Sequence, residues 1–174
     1  PITWVYILDV AVENERSVLA RFRRDSEVMS APADEPLTIP HVGAGVLRPV
    51  VVGFGPAGIF AAWVLARAGL APLVLERGQD VDRRTADVAR FWQTGVLDPS
   101  SNVQFGEGGA GTFSDGKLTA RSNDPRMREI IEAFIRAGAP EEIRYLQKPH
   151  IGTDILRTVV KNLRMDLIRM GAEV

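Results

Sequence analysis

Three glycines at a fixed spacing are the residues of this sequence that most directly indicate chemistry. Gly53, Gly55 and Gly58 fill the pattern G-x-G-x-x-G directly after the apolar run 50–52. In such a site the first glycine allows a tight turn, the second lets the backbone approach a pyrophosphate, and the third permits close packing of a helix on a strand. The N-terminus of the next helix adds free N–H groups and the positive end of its dipole. The pattern therefore predicts a pyrophosphate-binding turn.

An acidic residue stands where a dinucleotide site places its ribose-binding group. Glu76 follows the second apolar run, 73–75, and its carboxylate can accept hydrogen bonds from the hydroxyls of an adenosine ribose. The same charge would repel a 2′-phosphate, so NADP is disfavoured at this site. Strand, glycine turn, helix, second strand and acid occur in the required order, which favours a dinucleotide site over an ordinary turn. The pattern alone does not distinguish FAD from NAD.

A second glycine-rich stretch, residues 101–118, is called here the second glycine segment. Its sequence is SNVQFGEGGAGTFSDGKL. Such a loop can bring backbone N–H groups against a flat or anionic ligand. The alternative is a surface linker, but linkers rarely carry bulky apolar residues such as Phe105 and Phe113. We therefore expect this segment to contribute to the binding site.

These motifs require a strand–helix–strand unit to position them. The sequence predicts a strand at 50–52, buried on both faces, a helix at 56–68 that begins at a proline, and a second buried strand at 73–75. Three further helices are predicted at 81–94, 125–137 and 154–170. Residues 172–174 resemble the start of a third parallel strand. Although 49–66 is uncharged, its central glycines favour a strand, turn and helix over a membrane span.

The first part of the chain has a different pattern. Residues 3–12 are β-branched and aromatic and predict a strand, and residues 14–24 predict a helix. A proline- and glycine-rich connector covers 30–49. We therefore interpret 1–47 as a partial α+β segment and 48–174 as the N-terminal part of a dinucleotide-binding domain. Because two strands do not complete a doubly wound sheet, the chain is expected to be a fragment.

Composition excludes several classes of function. The 174 residues carry a net charge of −1, so no charge excess indicates a nucleic-acid or membrane partner. The absence of cysteine excludes a disulfide framework, a thiolate zinc site and a redox-active cysteine pair in this chain. No metal site is expected, a cytoplasmic location is predicted, and the oligomeric state and small-molecule substrate are not indicated.

The run from Arg48 to Val174 resembles a known family. It includes ERGQDVDRRTADVARFWQTGVLDPSSNVQFGEGGAGTFSDGKL and KPHIGTD, and it is similar to the bacterial uncharacterised FAD-dependent (NAD/FAD-utilising) dehydrogenases. More broadly it resembles the glutathione-reductase-like FAD superfamily. The resemblance implies an α/β, Rossmann-like FAD-binding domain with an incomplete parallel sheet and a small N-terminal α+β segment. It also implies an FAD-dependent oxidoreductase, with NAD(P)H as a possible electron donor.

The resemblance also assigns residues to parts of the cofactor. It places the FAD pyrophosphate at Gly53, Gly55, Pro56, Ala57 and Gly58. It places the adenosine ribose at Glu76, with Arg77 adjacent. It places the ribityl–flavin portion along Gly108, Gly109, Ala110 and Gly111. No catalytic residue is identified.

Other residues and functions remain open. His150 is a candidate proton donor near the flavin, although a structural hydrogen bond in a turn is favoured. Arg83 and Arg84 open a helix, where solvated side chains are favoured over phosphate ligands. The alternative functions are an NAD-binding dehydrogenase and a flavin-binding protein that modifies RNA or serves as a scaffold without turnover.

Overall fold

The computed structural model describes residues 3, 5–31, 36–43, 45–118, 124–146 and 148–174. These residues form a mixed α/β structure with five α-helices, two short 3₁₀ helices and a two-stranded parallel sheet. The chain divides into two compact units, Pro1–Pro36 and Leu37–Val174. The boundary predicted at residue 47 marks a change of sequence pattern and stays a prediction.

The first unit contains one helix among its described residues, α1 (Glu15–Arg21). The side chain of Asn14 accepts a hydrogen bond from the N–H of Ser17 and caps the helix, as the sequence suggested. The predicted strand at 3–12 was wrong: residues 5–12 form no strand, and Ile7 is 97% exposed. A strand needs a hydrogen-bonded neighbour, and nothing in the described part of the chain pairs with 5–12. Trp4 lies outside the described residues.

The second unit is built on a strand–helix–strand unit. Strand β1 (Val50–Val52) leads through the glycine turn to α2 (Pro56–Arg67) and then to β2 (Leu73–Leu75). The two strands are parallel, with Val51 opposite Val74. This order and these bounds were predicted to within one residue, because the apolar runs are short and their boundaries are marked by glycine and proline.

The sheet buries only one of its faces against the described residues. Val74 is 2% exposed and belongs to the apolar core, whereas Val50 and Val52 are 55% and 82% exposed. The prediction that both faces of β1 are buried was therefore wrong. Side chains alternate along a strand, so the valines on either side of Val51 face away from α2.

The sheet extends beyond β2 by a single parallel bridge. Leu73 pairs with Glu173, and the N–H of Val74 donates to the carbonyl of Glu173 over 2.7 Å. The chain therefore begins a third parallel alignment where one was predicted. The side chain of Arg48 forms an ion pair with Glu173 at 2.9 Å, which connects this bridge to the residues before β1.

Three more helices complete this unit: α3 (Val81–Thr94), α4 (Met127–Arg136) and α5 (Thr153–Arg169). The bounds of α3 agree with the prediction, because Asp80 accepts hydrogen bonds from two N–H groups of its first turn and Gly95 ends it in a left-handed conformation. Helix α4 is shorter than predicted at its N-terminus. Helices α2 and α5 supply most of the apolar core. No helix in the described ranges is long and apolar enough to cross a membrane.

Candidate functional site

The first glycine loop, residues 53–58, is a tight turn from β1 into α2. Gly53 has a φ of +94°, a backbone conformation that residues other than glycine rarely adopt. Its N–H donates to the carbonyl of Leu75. A β-carbon at Gly58 would overlap the carbonyl oxygen of Gly53 and would also contact Val51. Glycine at position 58 is therefore required for α2 to lie this close to the turn.

The N-terminus of α2 presents backbone donors that no other described residue pairs. The first hydrogen bond of the helix runs from the N–H of Ile59 to the carbonyl of Gly55, so the N–H groups of Ala57 and Gly58 precede the intrahelical ladder. Pro56 occupies the first helical position and has no N–H. No acidic residue lies in this first turn. The positive end of the helix dipole is thus available to an anionic ligand.

Glu76 contacts the first glycine loop directly. Its Oε2 accepts a hydrogen bond from the N–H of Phe54 over 2.6 Å, and its Oε1 accepts one from the N–H of Gly78 over 2.9 Å. A carboxylate has about four lone-pair positions. Glu76 therefore orients the turn and retains the capacity to accept further hydrogen bonds, a double role that the sequence did not indicate.

The second glycine segment lies against the first glycine loop. The N–H of Gly108 donates to the carbonyl of Phe54 over 2.7 Å. A β-carbon at Gly109 would lie 3.3 Å from the Cα of Gly55 and 3.4 Å from the Cδ of Pro56. The two motifs, about fifty residues apart in sequence, thus form one surface of backbone atoms.

Two cavities border this surface. One has a volume of about 410 Å³ and is lined by Phe54 and Glu76. The other has a volume of about 490 Å³, is mainly apolar, and is lined by Pro56 and Gly111 together with residues of α2, α4 and α5. A β-carbon at Gly111 would meet no atom within 4 Å, so this position faces open space.

The cavity beside Glu76 contains a buried acid. Glu107 is 2% exposed, and its carboxylate accepts hydrogen bonds from the N–H of Val81 over 2.5 Å and from Nε of Arg164 over 2.7 Å. Burial raises the pKa of Glu107, and the bonds from Val81 and Arg164 oppose this rise. Asp80 also lines this cavity, so the acidic groups outnumber its one lining arginine among the described residues.

Arg77 also links the two motifs. Its guanidinium lies over the ring of Phe105, with 4.2 Å between the guanidinium carbon and the ring centroid. The residues that the family resemblance assigns to pyrophosphate, ribose and ribityl–flavin binding therefore lie in one region.

Arg84 does not behave as predicted. It is neither solvated nor directed toward a phosphate position: its side chain is fully buried and donates to carbonyl groups of the second glycine segment. The sequence contained a signal for the burial of Arg84, though not for its hydrogen-bond partners, because Val81, Arg84 and Val88 recur at helical spacing on the buried face of α3. The preceding residue, Arg83, is 75% exposed in its side chain and pairs with Asp80.

His150 lies beside Lys117, near the end of the second glycine segment. It pairs with Lys117 in an isolated antiparallel bridge and is exposed. Lys117 lines the apolar cavity and forms an ion pair with Asp115 at 2.8 Å. The proton-donor role stays a prediction, and the backbone bridge accounts for the position of His150.

Comparison with known proteins identifies a relative but shows no family. No protein-family model matches the chain. A protein of Clostridium beijerinckii, described as an uncharacterized protein, is 61% identical over 127 residues, which cover 73% of this chain and 24% of the relative. The chain thus spans about a quarter of the length of this curated relative.

Proposed function

We propose that this chain is the FAD-binding portion of an FAD-dependent oxidoreductase with a Rossmann-like arrangement. The observation that carries the proposal is the contact between the two glycine motifs, in which the N–H of Gly108 donates to the carbonyl of Phe54. This contact places a second run of backbone beside a helix N-terminus and an acid, where an extended dinucleotide can be bound along its length.

The residues present fit the pyrophosphate of such a cofactor. The first glycine loop offers the N–H groups of Ala57 and Gly58, and no side chain lies within 4 Å of the β-carbon position of Gly53. The absence of an acid in the first turn of α2 removes the main source of repulsion. An anionic group can therefore approach the backbone closely.

The residues also fit an adenosine ribose. Glu76 uses one lone pair of Oε2 for the N–H of Phe54 in the first glycine loop and one of Oε1 for the N–H of Gly78, which leaves acceptor positions for the two ribose hydroxyls. Asp80 lines the same cavity, and Glu107 there is paired with Arg164, so acidic groups remain in excess among the described lining residues. This charge favours a free 2′-hydroxyl over a 2′-phosphate, and so favours FAD or NAD over NADP at this position.

The second glycine segment favours FAD over NAD. A nicotinamide site requires the first glycine loop and the acid, whereas this structure adds Gly108–Gly111 and an apolar cavity of about 490 Å³ that Gly111 lines. A cavity of this size and character suits a flat ring system. The alternative RNA-modifying or scaffold function has less support, because the net charge of −1 offers no electrostatic attraction for RNA.

The chemistry follows from this assignment. FAD supplies hydride or electron transfer when bound, and NAD(P)H is a candidate donor. The residues of this chain bind and orient the cofactor: the N-terminus of α2 holds the pyrophosphate, Glu76 holds the ribose, and the segment around Gly109 lies along the ribityl portion. No group of the chain is assigned to proton transfer.

Ligand binding to the purified chain tests the proposal. Isothermal titration with FAD, FMN, ADP and NAD, together with a visible absorption spectrum after gel filtration, measures which parts of the cofactor are recognised. We expect FAD to bind most tightly, ADP more weakly, and FMN most weakly because it lacks adenosine. NAD binding that equals or exceeds FAD binding would favour the nicotinamide alternative. A protein that binds none of these ligands would overturn the proposal.

A further inference from the structure

One buried guanidinium organises the turn that precedes Gly108. Arg84 donates from Nε to the carbonyl of Asn102 at 2.8 Å and from Nη2 to the carbonyl of Val103 at 2.9 Å. Its Nη1 donates to the carbonyls of Gly106 at 3.3 Å and Glu107 at 2.6 Å. Four carbonyl dipoles of one loop therefore converge on a single cation that no solvent reaches.

The surroundings of Arg84 are shaped to its side chain. A β-carbon at Gly106 would lie 2.6 Å from the Cδ of Arg84, so glycine is needed where the side chain passes. The ring of Phe113 lies under the guanidinium, with 4.8 Å between the guanidinium carbon and the ring centroid. Burial lowers the pKa of Arg84, and the nearby charges of Glu76 and Glu107 oppose this effect.

A continuous series of contacts connects Arg84 to the proposed cofactor site. Arg84 bonds the carbonyl of Glu107, and the next residue, Gly108, donates its N–H to Phe54 in the first glycine loop. Gly109 then lies against Gly55. The conformation of the turn at 102–107 thus determines where the backbone of Gly108 and Gly109 lies.

We propose, on the basis of the proposed function, that Arg84 is a positioning residue for the part of FAD beyond its ADP moiety. By holding the 102–107 turn, its guanidinium places Gly108 and Gly109 beside the first glycine loop. The ADP moiety is bound by the first glycine loop and Glu76 and depends less on this placement. Arg84 therefore sets the preference for FAD over ADP without contacting either ligand.

Arginine and lysine differ at this position. Guanidinium has five N–H donors in a fixed plane, whereas an ammonium group is a compact charge with three donors. Arg84→Lys retains the charge but cannot reach four carbonyls spread over six residues of the turn. Arg83→Lys is the matched control, because Arg83 is the exposed neighbour on the same helix.

The experiment compares the dissociation constants of FAD and ADP for the parent, Arg84→Lys and Arg83→Lys proteins. We expect Arg84→Lys to weaken FAD binding by about tenfold or more, on the scale of a lost charge-assisted hydrogen bond, and to change ADP binding much less. Arg83→Lys should leave both constants at parental values. If Arg84→Lys does not fold, Phe113→Leu removes only the ring beneath the guanidinium. This variant should likewise raise the dissociation constant of FAD relative to that of ADP.

Backbone amide hydrogen exchange without ligand provides an independent readout. Arg84→Lys should increase exchange across residues 102–109 and leave α4 unchanged, because neither Arg84 nor Glu107 bonds that helix. A parent protein that binds neither ligand would overturn the proposed function. Suppose instead that the parent binds FAD, and that Arg84→Lys changes neither the ratio of the FAD and ADP dissociation constants nor the exchange at 102–109. That result would overturn the role of Arg84 alone.

Discussion

The carboxylate of Glu76 accepts a hydrogen bond from the backbone N–H of Phe54 over 2.6 Å. The acid that follows β2 therefore holds the turn that follows β1, and its other oxygen accepts a bond from Gly78. A residue proposed to bind ribose is thus also part of the framework that shapes the pyrophosphate turn. Changes at Glu76 should affect stability and ligand binding together.

Replacing Glu76 by glutamine tests this double role. The amide oxygen of Glu76→Gln can still accept one bond, but its NH₂ group would face the N–H of Gly78 and leave that donor unpaired. We expect the free energy of unfolding in urea to fall by about 1–3 kcal/mol and FAD binding to weaken. Glu142→Gln, an exposed glutamate of the 3₁₀ turn at 141–144, is the control. Parental stability in Glu76→Gln would contradict the framework role.

Substitutions at Gly111 test ligand contact without a large effect on folding. A β-carbon at Gly111 would meet no atom within 4 Å, and the φ of Gly111 is not positive. Gly43, which lines a different cavity, has the same two properties. Gly111→Leu and Gly43→Leu should each change stability by about 0.5 kcal/mol or less. Only Gly111→Leu should weaken FAD binding in isothermal titration, by about tenfold or more, because its side chain would extend into the space assigned to the cofactor. Equal FAD affinities for the two variants would show that Gly111 does not face the ligand.

Gly58 should be intolerant of even a methyl group. The β-carbon of Gly58→Ala would overlap the carbonyl oxygen of Gly53, which belongs to the same turn and cannot move independently. We expect thermal and urea unfolding to show a loss of about 1–3 kcal/mol, the range for overpacking. Gly111→Ala is the matched control and should unfold like the parent. Unchanged stability in Gly58→Ala would mean that α2 can shift away from the turn.

The buried carboxylate of Glu107 makes stability depend on pH. Burial raises the pKa of Glu107 in the folded protein above its unfolded value, so the folded state binds the proton more tightly. The resulting stabilisation is fully present below the unfolded glutamate pKa of about 4.3 and is lost as pH rises through the raised folded pKa. Glu107→Gln removes this titration. The stability of the variant relative to the parent, measured by urea unfolding, should therefore increase as pH rises through that window, and a constant difference would contradict the assignment.

The acidic cavity should discriminate against a 2′-phosphate. ADP carrying a phosphate on its 2′-hydroxyl should bind more weakly than ADP, because Glu76 and Asp80 line the cavity assigned to the ribose and would repel the added charge. The difference should decrease in Glu76→Gln, since that variant removes one negative charge. Equal binding of the two nucleotides to the parent protein would place the ribose elsewhere.

The local elements were predictable because their signals are local. The glycines of the first loop, the apolar triplets of β1 and β2, and the capping residues Asp80 and Gly95 of α3 determine their structures within a few residues. The proximity of Glu76 to the glycine turn also follows from the strand order. Predictions of this kind depend on neighbours in sequence rather than on packing.

The features that depend on distant partners were not predictable in the same way. Nothing near Arg84 in sequence shows that four carbonyls from 102–107 surround it, and its charge suggested solvent. The apolar residues of 5–12 have the composition of a strand but no pairing partner among the described residues. The exposed face at Val50 and Val52 likewise depends on what covers the sheet, which the strand sequence does not encode.

The bond between Glu76 and Phe54 has a consequence for how the strands align during folding. Parallel strands that slip by one residue exchange the faces on which their side chains lie. With Val51 opposite Val74, the Glu76 carboxylate reaches the loop; after a slip it would point away and leave the N–H of Phe54 unpaired. The two strands have three residues each and are too short to specify their own alignment. The carboxylate of Glu76 thus raises the free energy of misaligned pairing relative to the native pairing. Selection for nucleotide recognition and selection against misfolding would then act on the same two oxygen atoms.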